Sequence, residues 1–172
     1  ASLQNKRIGI WNFINPDLVS IMLKKFGIKA KIVRFNSGVN IFLSHAVDVC
    51  LVYSFNEFYQ LQECGYHIRP NCVMRLNDQG YFMPEGGLYT LRSYYEKHPA
   101  TVRKFVQASK QGWLYAASNK KETIDKTMQL TKKYHISTNR YHQTKMLDEV
   151  LRLQKDPQTG RKTFRLSPKS FE

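Results

Sequence analysis

The transition at residues 7–18 constrains the fold most, because a short apolar segment runs directly into a helix start. Residues 7–11 predict a strand, and Asn15 can cap the helix that follows. Pro16 suits a first helical position, and Asp17 complements the helix dipole. Ligands of open α/β sheets bind just outside the carboxyl ends of such strands. We therefore expect a binding surface that includes Trp11, Asn12 and Asn15, with core packing for Trp11 and simple capping for Asn15 as the alternatives.

The first half of the chain alternates between strand-like and helix-like segments, as in βαβ units that feed a mainly parallel sheet. Strands are predicted near residues 7–11, 30–35, 47–52 (buried) and 88–91, with further extended chain at 71–76 and 80–83. Helices are predicted near 16–26 and 39–44, and a third helix opens at Ser54 and ends near Gly65. The apolar stripe of the first helix is Leu18, Val19, Met22, Leu23 and Phe26.

The second half is predicted to be helical. Helices are expected near residues 99–117, 120–134 and 138–154, and the first begins at Pro99. Its apolar face contains Val102, Phe105, Val106, Ser109, Trp113, Ala116 and Ala117. Residues 156–160 predict a turn, residues 163–166 a short extended segment, and Ser167-Pro168 the start of another helix. The fold class is therefore α/β, with one βαβ lobe and part of a second, helix-rich lobe.

The net charge of +14 raises the possibility of a nucleic-acid or acidic membrane partner. Residues 1–98 hold eleven basic and seven acidic side chains, for a charge of +4, and residues 99–172 hold sixteen and six, for +10. The lysines lie between apolar helical positions instead of forming one block with interleaved aromatic residues. This pattern favours a solvated helix face over a nucleic-acid surface, and a basic nucleic-acid or membrane-surface module stays an alternative that rests on charge alone.

No pattern in the sequence predicts catalysis, a metal or a cofactor. The three cysteines lack metal-like spacing and are interpreted as buried thiols, and the five histidines are scattered. No nucleophile elbow, phosphate loop or dinucleotide-binding glycine motif occurs. The apolar runs are far shorter than the ~20 residues that span a bilayer, and the first residues lack a signal-peptide pattern, so we expect that a signal was removed or never existed.

Two carboxylates are candidates for ligand contacts. Glu57 follows a predicted strand in the segment Tyr53-Ser-Phe-Asn-Glu. Ser54 and Glu57 also fit a capping box, in which Glu57 bonds back to the Ser54 N–H. We favour this cap for Glu57 and a ligand role for Tyr53 and Asn56. Glu85 precedes Gly86-Gly87, where the glycines suit either a hinge or an ordinary turn.

Four segments resemble those of one protein family in their order along the chain: Lys6-Arg7-Ile-Gly-Ile-Trp, residues 47–57, Pro84-Glu-Gly-Gly-Leu-Tyr, and residues 98–113. The chain resembles the solute-binding proteins for thiamine-pyrimidine precursors, nitrate, sulfonates and taurine, which have the type II periplasmic-binding fold. Residues 142–151 and the following turn resemble the pyrimidine-precursor branch. The resemblance implies that residues 1–83 form the second lobe and residues 84–172 the hinge and returning part of the first lobe. It also implies that an amino-terminal segment and a closing helix are missing here.

The resemblance implies a non-catalytic domain that closes on a small molecule, either a pyrimidine thiamine precursor or a similar heterocycle or oxyanion. Its partners would be an ABC permease of an importer or the signalling domains of a sensor kinase, in the periplasm or another extracytoplasmic compartment. The expected ligand contacts are Trp11, Asn12, Asn15, Tyr53, Asn56, Glu57 and Glu85. Exposed sheet edges would favour a homo-oligomer. The alternative is an enzyme similar to the family's pyrimidine-precursor synthases, which carry a cysteine-rich motif that this sequence lacks.

Overall fold

The computed structural model describes residues 2–12, 17–81, 86–155, 160, 162, 164 and 165. The chain divides into two compact units, Ala1–Phe82 and Met83–Glu172, and each is described by itself. Asn15 and Glu85 lie outside the described residues, as do residues 156–159, 161, 163 and 166–172. Most of the turn predicted at 156–160, half of the extended segment at 163–166 and the helix start at Ser167-Pro168 fall there.

The first unit is built from alternating strands and helices, as the sequence predicts. Its described elements are β1 (Arg7–Trp11), α1 (Asp17–Lys25), β2 (Lys31–Phe35), α2 (Asn40–Leu43), β3 (Val49–Cys50) and α3 (Glu57–Glu63). The three strands form one parallel sheet in the order β2-β1-β3. Arg7 links the start of β1 to the residue before β3, because its guanidinium and its backbone N–H both donate to the Asp48 carboxylate. These bonds hold the pKa of Asp48 well below its usual range.

The core of the first unit lies between the central strand and α1. Its buried cluster is Ile8, Ile10, Val19, Met22 and Leu23. Gly9 belongs to this tight packing, since a Cβ there would lie 3.2 Å from Val47 Cγ2 and 3.3 Å from a ring carbon of Phe35. Phe26, which was predicted to continue the apolar stripe of α1, is instead exposed. The reason is that α1 ends at Lys25 and Gly27, with a φ of 62°, turns the chain away.

Several predicted extended segments are shorter than expected or absent. The buried strand predicted over 47–52 is a two-residue, half-buried strand, because its pairing with β1 is limited to Ile8–Val49 and Gly9–Cys50. A short 3₁₀ turn at Pro70–Cys72 takes the first two residues of the segment predicted to be extended at 71–76, whereas Val73 after it is extended. A second 3₁₀ turn, Asn77–Gln79, follows this segment. Pro70 favours such a turn because its φ is fixed and it carries no N–H. The strand predicted at 88–91 is wrong, since these residues join no sheet and Leu88, Tyr89 and Leu91 are exposed.

The described part of the second unit is helical, which confirms the prediction. Its helices are α4 (Arg92–Lys97), α5 (Pro99–Ser118), α6 (Lys120–Lys133) and α7 (Arg140–Leu153). Asn139 caps α7 by accepting the His142 N–H at 2.9 Å. Helices α6 and α7 pack together and are joined by the ion pairs Lys120–Asp148 and Arg140–Asp125. Leu151 of α7 is buried, but Phe105 and Val106, on the predicted apolar face of α5, are exposed.

Candidate functional site

The carboxyl ends of the parallel strands bring two of the predicted site residues beside a neighbouring strand end. Asn12 follows β1, and its backbone N–H donates to the Phe35 carbonyl at 2.9 Å. The Asn12 side-chain amide also donates to the Asn36 carbonyl oxygen just after β2. Both side chains are exposed, so this edge of the sheet presents a pair of linked amides.

Trp11 is a buried residue at this edge, with 7% of its surface exposed. Its ring packs against Phe35, with the ring centroids 4.5 Å apart. The Arg34 guanidinium donates to the Asn12 carbonyl at 3.3 Å and approaches the Trp11 carbonyl at 3.5 Å. The strand end is therefore held by its own neighbours, and Trp11 forms the floor of this edge instead of projecting from it.

The residues after β3 form the most closely connected polar cluster of the candidate site. The Glu57 carboxylate accepts the Tyr53 N–H at 2.9 Å and the Asn56 side-chain amide at 2.7 Å. Glu57 is buried, with only 5% of its surface exposed. Each carboxylate oxygen accepts one of these two bonds, and an ionised carboxylate can accept about four. The cluster therefore holds Glu57 in place and leaves it able to accept further donors.

The predicted capping box is wrong in its bonding. Helix α3 begins at Glu57, three residues after the helix start predicted at Ser54, and Asn56 is the residue that precedes it. Glu57 reaches back to the Tyr53 N–H instead of the Ser54 N–H. The reason is that the Asn56 and Phe58 N–H groups donate to the Tyr53 carbonyl, so a turn at 53–56 separates the strand end from the helix.

The pKa of the Cys50 thiol is affected by the burial and the charge of this region. Burial raises the pKa of the Cys50 thiol to about 11, and the nearby charge of Glu57 adds to the effect. Cys64 and Cys72 are exposed, contrary to the prediction that all three cysteines are buried. Cys50 is therefore a half-buried, protonated thiol on β3, near enough to Glu57 for the carboxylate charge to act on it.

Aromatic rings flank the same cluster. The rings of Tyr53 and Phe55 stack with their centroids 5.2 Å apart. Phe55 was not among the predicted site residues, and neither were Asn36 and Arg34. Asn36 could have been found from the rule that placed Asn12 at the site, since each asparagine follows a parallel strand directly. Nothing in the local sequence indicates that the Arg34 side chain would bind backbone carbonyls at the end of the neighbouring strand β1.

The predicted site residues thus fall into three sets. Tyr53, Asn56 and Glu57 are joined by direct hydrogen bonds. Trp11 and Asn12 lie at the end of the adjoining strand and contact Phe35 and Asn36. Asn15 and Glu85 lie outside the described residues. Their contribution to binding stays a prediction.

Neither a metal-binding cluster nor a membrane-spanning helix occurs in the part of the chain that the structure describes. No group of three or more His, Cys, Asp or Glu side chains in this part of the chain could hold a metal ion. Among the helices described, none combines the length and the apolar character that crossing a bilayer requires.

Comparison with known proteins places this site in a family context. The profile of the family described as NMT1/THI5 like matches residues 1–123, which include the whole sheet and every predicted site residue. Neither the curated proteins nor the solved structures give a match. The small α/β fold, with its three-stranded parallel sheet flanked by helices, is that of a partial type II periplasmic-binding protein. The chain therefore belongs to the NMT1/THI5-like family of thiamine-pyrimidine, nitrate and sulfonate binding proteins, which indicates a solute-binding role.

Proposed function

We propose that this chain is the non-catalytic ligand-binding part of a solute-binding protein, and that its ligand is a nitrogen heterocycle of the thiamine-pyrimidine class. The observation that carries the proposal is the buried Glu57 carboxylate, which is fixed by the Tyr53 N–H and the Asn56 amide at the carboxyl end of β3. The site comprises Asn12, Tyr53, Asn56 and Glu57, with Trp11 beneath it and Asn15 and Glu85 as further contacts.

The chemistry of the cluster favours a heterocycle over a bare oxyanion. A buried carboxylate repels nitrate or a sulfonate, whereas it accepts hydrogen bonds from the amino group of an aminopyrimidine. The Tyr53–Phe55 pair offers a ring face on which a flat heterocycle can stack. The exposed Asn12 and Asn36 amides can serve both donors and acceptors of the same ligand.

The biological setting of this binding is the finer part of the proposal. The protein would act outside the cytoplasm, where it delivers the ligand to an ABC permease or reports it to the signalling domains of a sensor kinase. Family membership supports this setting. No metal, cofactor or covalent step is needed for such binding.

The test is a thermal-shift and calorimetric titration with the hydroxymethyl aminopyrimidine precursor of thiamine, alongside nitrate and taurine. We expect only the pyrimidine to stabilise the protein, by about 2.7 kcal/mol at a concentration 100-fold above its dissociation constant. The Glu57→Gln variant should bind roughly 10-fold to 100-fold more weakly, because it loses a charge-assisted hydrogen bond. Glu63→Gln, at the exposed end of the same helix, is the matched control and should bind normally.

A second variant tests the same site if Glu57→Gln fails to fold. Tyr53→Leu removes the stacking ring and keeps the backbone N–H that holds Glu57. It should also weaken pyrimidine binding while the unfolding transition without ligand stays close to that of the parent. Equal binding of pyrimidine, nitrate and taurine, or normal binding by both variants, would refute the proposal.

A further inference from the structure

The end of helix α6 carries a compact group of basic and apolar side chains, which we call the basic tip and define as residues 130–136. Lys132 and Lys133 lie in its last turn, and Lys133 sits over the ring of Tyr134, 5.3 Å from its centroid. His135, with a φ of 54°, ends the helix, and the Ile136 N–H donates back to the Thr131 carbonyl at 2.9 Å. The tip is therefore an ordered helix end.

The end of helix α1 has the same local arrangement and supplies an internal comparison. Lys24 and Lys25 are followed by Phe26, by Gly27 in the left-handed conformation, and by Ile28. The Ile28 N–H donates back to the Leu23 carbonyl at 2.8 Å, as that of Ile136 does to Thr131. The two helix ends thus pair a dilysine with an aromatic residue and an isoleucine at matching positions.

The two ends differ in where the isoleucine goes. Ile28 is partly buried and packs against the core of the first unit. Ile136 is 59% exposed, and Leu130 and Tyr134 beside it are also mostly exposed, at 54% and 62%. Such a hydrophobic residue ordinarily packs back on its own helix end. At the basic tip the apolar and aromatic side chains instead face solvent together.

The sequence around the basic tip carries positive charges only. Residues 126–147 contain five basic side chains and no Asp or Glu. Two of the five are neutralised, because Lys126 pairs with Glu122 and Arg140 with Asp125. Across the described part of the chain, no carboxylate lies within ion-pair distance of Lys132, Lys133 or Lys145. The tip therefore presents uncompensated positive charge beside exposed apolar groups.

We propose that the basic tip docks on an anionic membrane surface. Lysine ammonium groups would meet lipid phosphates and carboxylates, while Tyr134, Ile136 and Leu130 would enter the headgroup region. A nucleic-acid surface fits less well, because stacking on bases uses flat aromatic faces and arginine forks, whereas this tip has lysines and two aliphatic side chains. This surface lies in the second unit and is independent of the pyrimidine site.

Cosedimentation of the chain with phosphatidylcholine vesicles, with and without phosphatidylserine, tests the proposal at low and moderate salt. We expect binding only with phosphatidylserine and a decline as salt rises. The Lys132→Gln/Lys133→Gln variant should bind roughly 25-fold more weakly, since each lysine near an anionic membrane contributes about fivefold. Ile136→Ser should weaken binding at both salt concentrations, because its contribution is apolar.

The matched control is Lys24→Gln/Lys25→Gln, which removes the same charge from the equivalent helix end of the first unit. It should retain vesicle binding. Equal losses in the two dilysine variants would show that only net charge matters and would overturn the proposal. Absence of binding to phosphatidylserine vesicles would also overturn it, as would tighter binding to a generic DNA duplex that depends on Lys132 and Lys133. The pyrimidine titration, carried out on the same variants, reports separately on the other site.

Discussion

The two units of this protein use their apolar side chains differently. In the first unit, a central strand and one helix face enclose a continuous core that includes Ile8, Ile10, Val19, Met22 and Leu23. In the described part of the second unit, the buried hydrophobic residues are Ala116, Ile124 and Leu151, and large apolar side chains of α5 are exposed. A sheet with neighbours on both sides of its middle strand buries whole side chains, whereas a helical hairpin buries only a narrow stripe of each helix.

This difference predicts how sensitive each unit is to mutation. In the first unit, a truncated side chain leaves a cavity that close neighbours cannot fill. In the second unit, many apolar side chains already contact water, so that removing them changes little in the folded state.

The largest effect is expected for Ile10→Ala, because Ile10 is completely buried in the central strand. Truncation should lower the free energy of unfolding by about 3 kcal/mol, from lost apolar burial and the cavity that remains. Phe105→Ala on α5 is the matched control and should change it by no more than about 0.5 kcal/mol. Urea denaturation measures both values, and similar losses would mean that the face of α5 is buried in solution.

The second prediction compares two glycines. Gly9→Ala should destabilise the protein by about 2 kcal/mol, since the new methyl group would press against Val47 and Phe35. Gly112→Ala, in the interior of α5 where nothing lies within 4 Å of an added Cβ, should stabilise it by about 0.5–1 kcal/mol. Thermal unfolding should give shifts of opposite sign. Two shifts of the same sign would contradict the packing difference between the units.

A smaller loss, about 1 kcal/mol, is expected for Asn139→Ala. The side chain of Asn139 accepts the His142 N–H and so satisfies one of the first donors of α7. Ser137→Ala, two residues earlier on the exposed connection, should be neutral. The measurement is the helical circular dichroism signal during urea unfolding. A neutral Asn139→Ala variant would show that packing against α6, and not the cap, holds this helix end.

The smallest effect concerns the pH dependence of one thiol. Cys50 should react with iodoacetamide much more slowly than Cys64 and Cys72 at pH 8, because burial raises its pKa to about 11. Glu57→Gln should lower the pKa of Cys50, since the carboxylate charge disfavours the thiolate. Alkylation rates from pH 7 to pH 11, resolved by mass spectrometry of the modified peptides, measure the shift. Comparable reactivity of all three thiols would mean that the sheet opens readily.

The sequence predicts the first unit well because its signals are local. Short apolar runs give β1 and β2, a periodic apolar stripe gives α1, and Gly27 gives the end of that helix. The strand predicted at 88–91 is wrong for a related reason. A strand exists only where a neighbour supplies hydrogen-bond partners, and the apolar character of Leu88 and Leu91 does not provide one.

The candidate site is partly predictable. The rule that ligand-binding residues follow parallel strands identifies Asn12, Tyr53, Asn56 and Glu57, though whether they bind a ligand stays a prediction. Local pattern matching misassigned the partner of Glu57, because Ser54 and Glu57 have the spacing of a capping box. A tight turn at residues 53–56 moves the helix start to Glu57 and makes the Tyr53 N–H the donor.

The sequence by itself determined the α/β class and the order of strands and helices in the first unit, because these depend on periodicity, caps and turns that lie within a few residues. The family resemblance came from the order of four segments along the chain. Only the tertiary structure decided that Trp11 is covered by Phe35, that Glu57 is buried, and that Ile28 is packed while Ile136 is exposed. These outcomes depend on which distant segments come together. Burial is a property of the neighbours that a side chain meets, and the local sequence does not encode them.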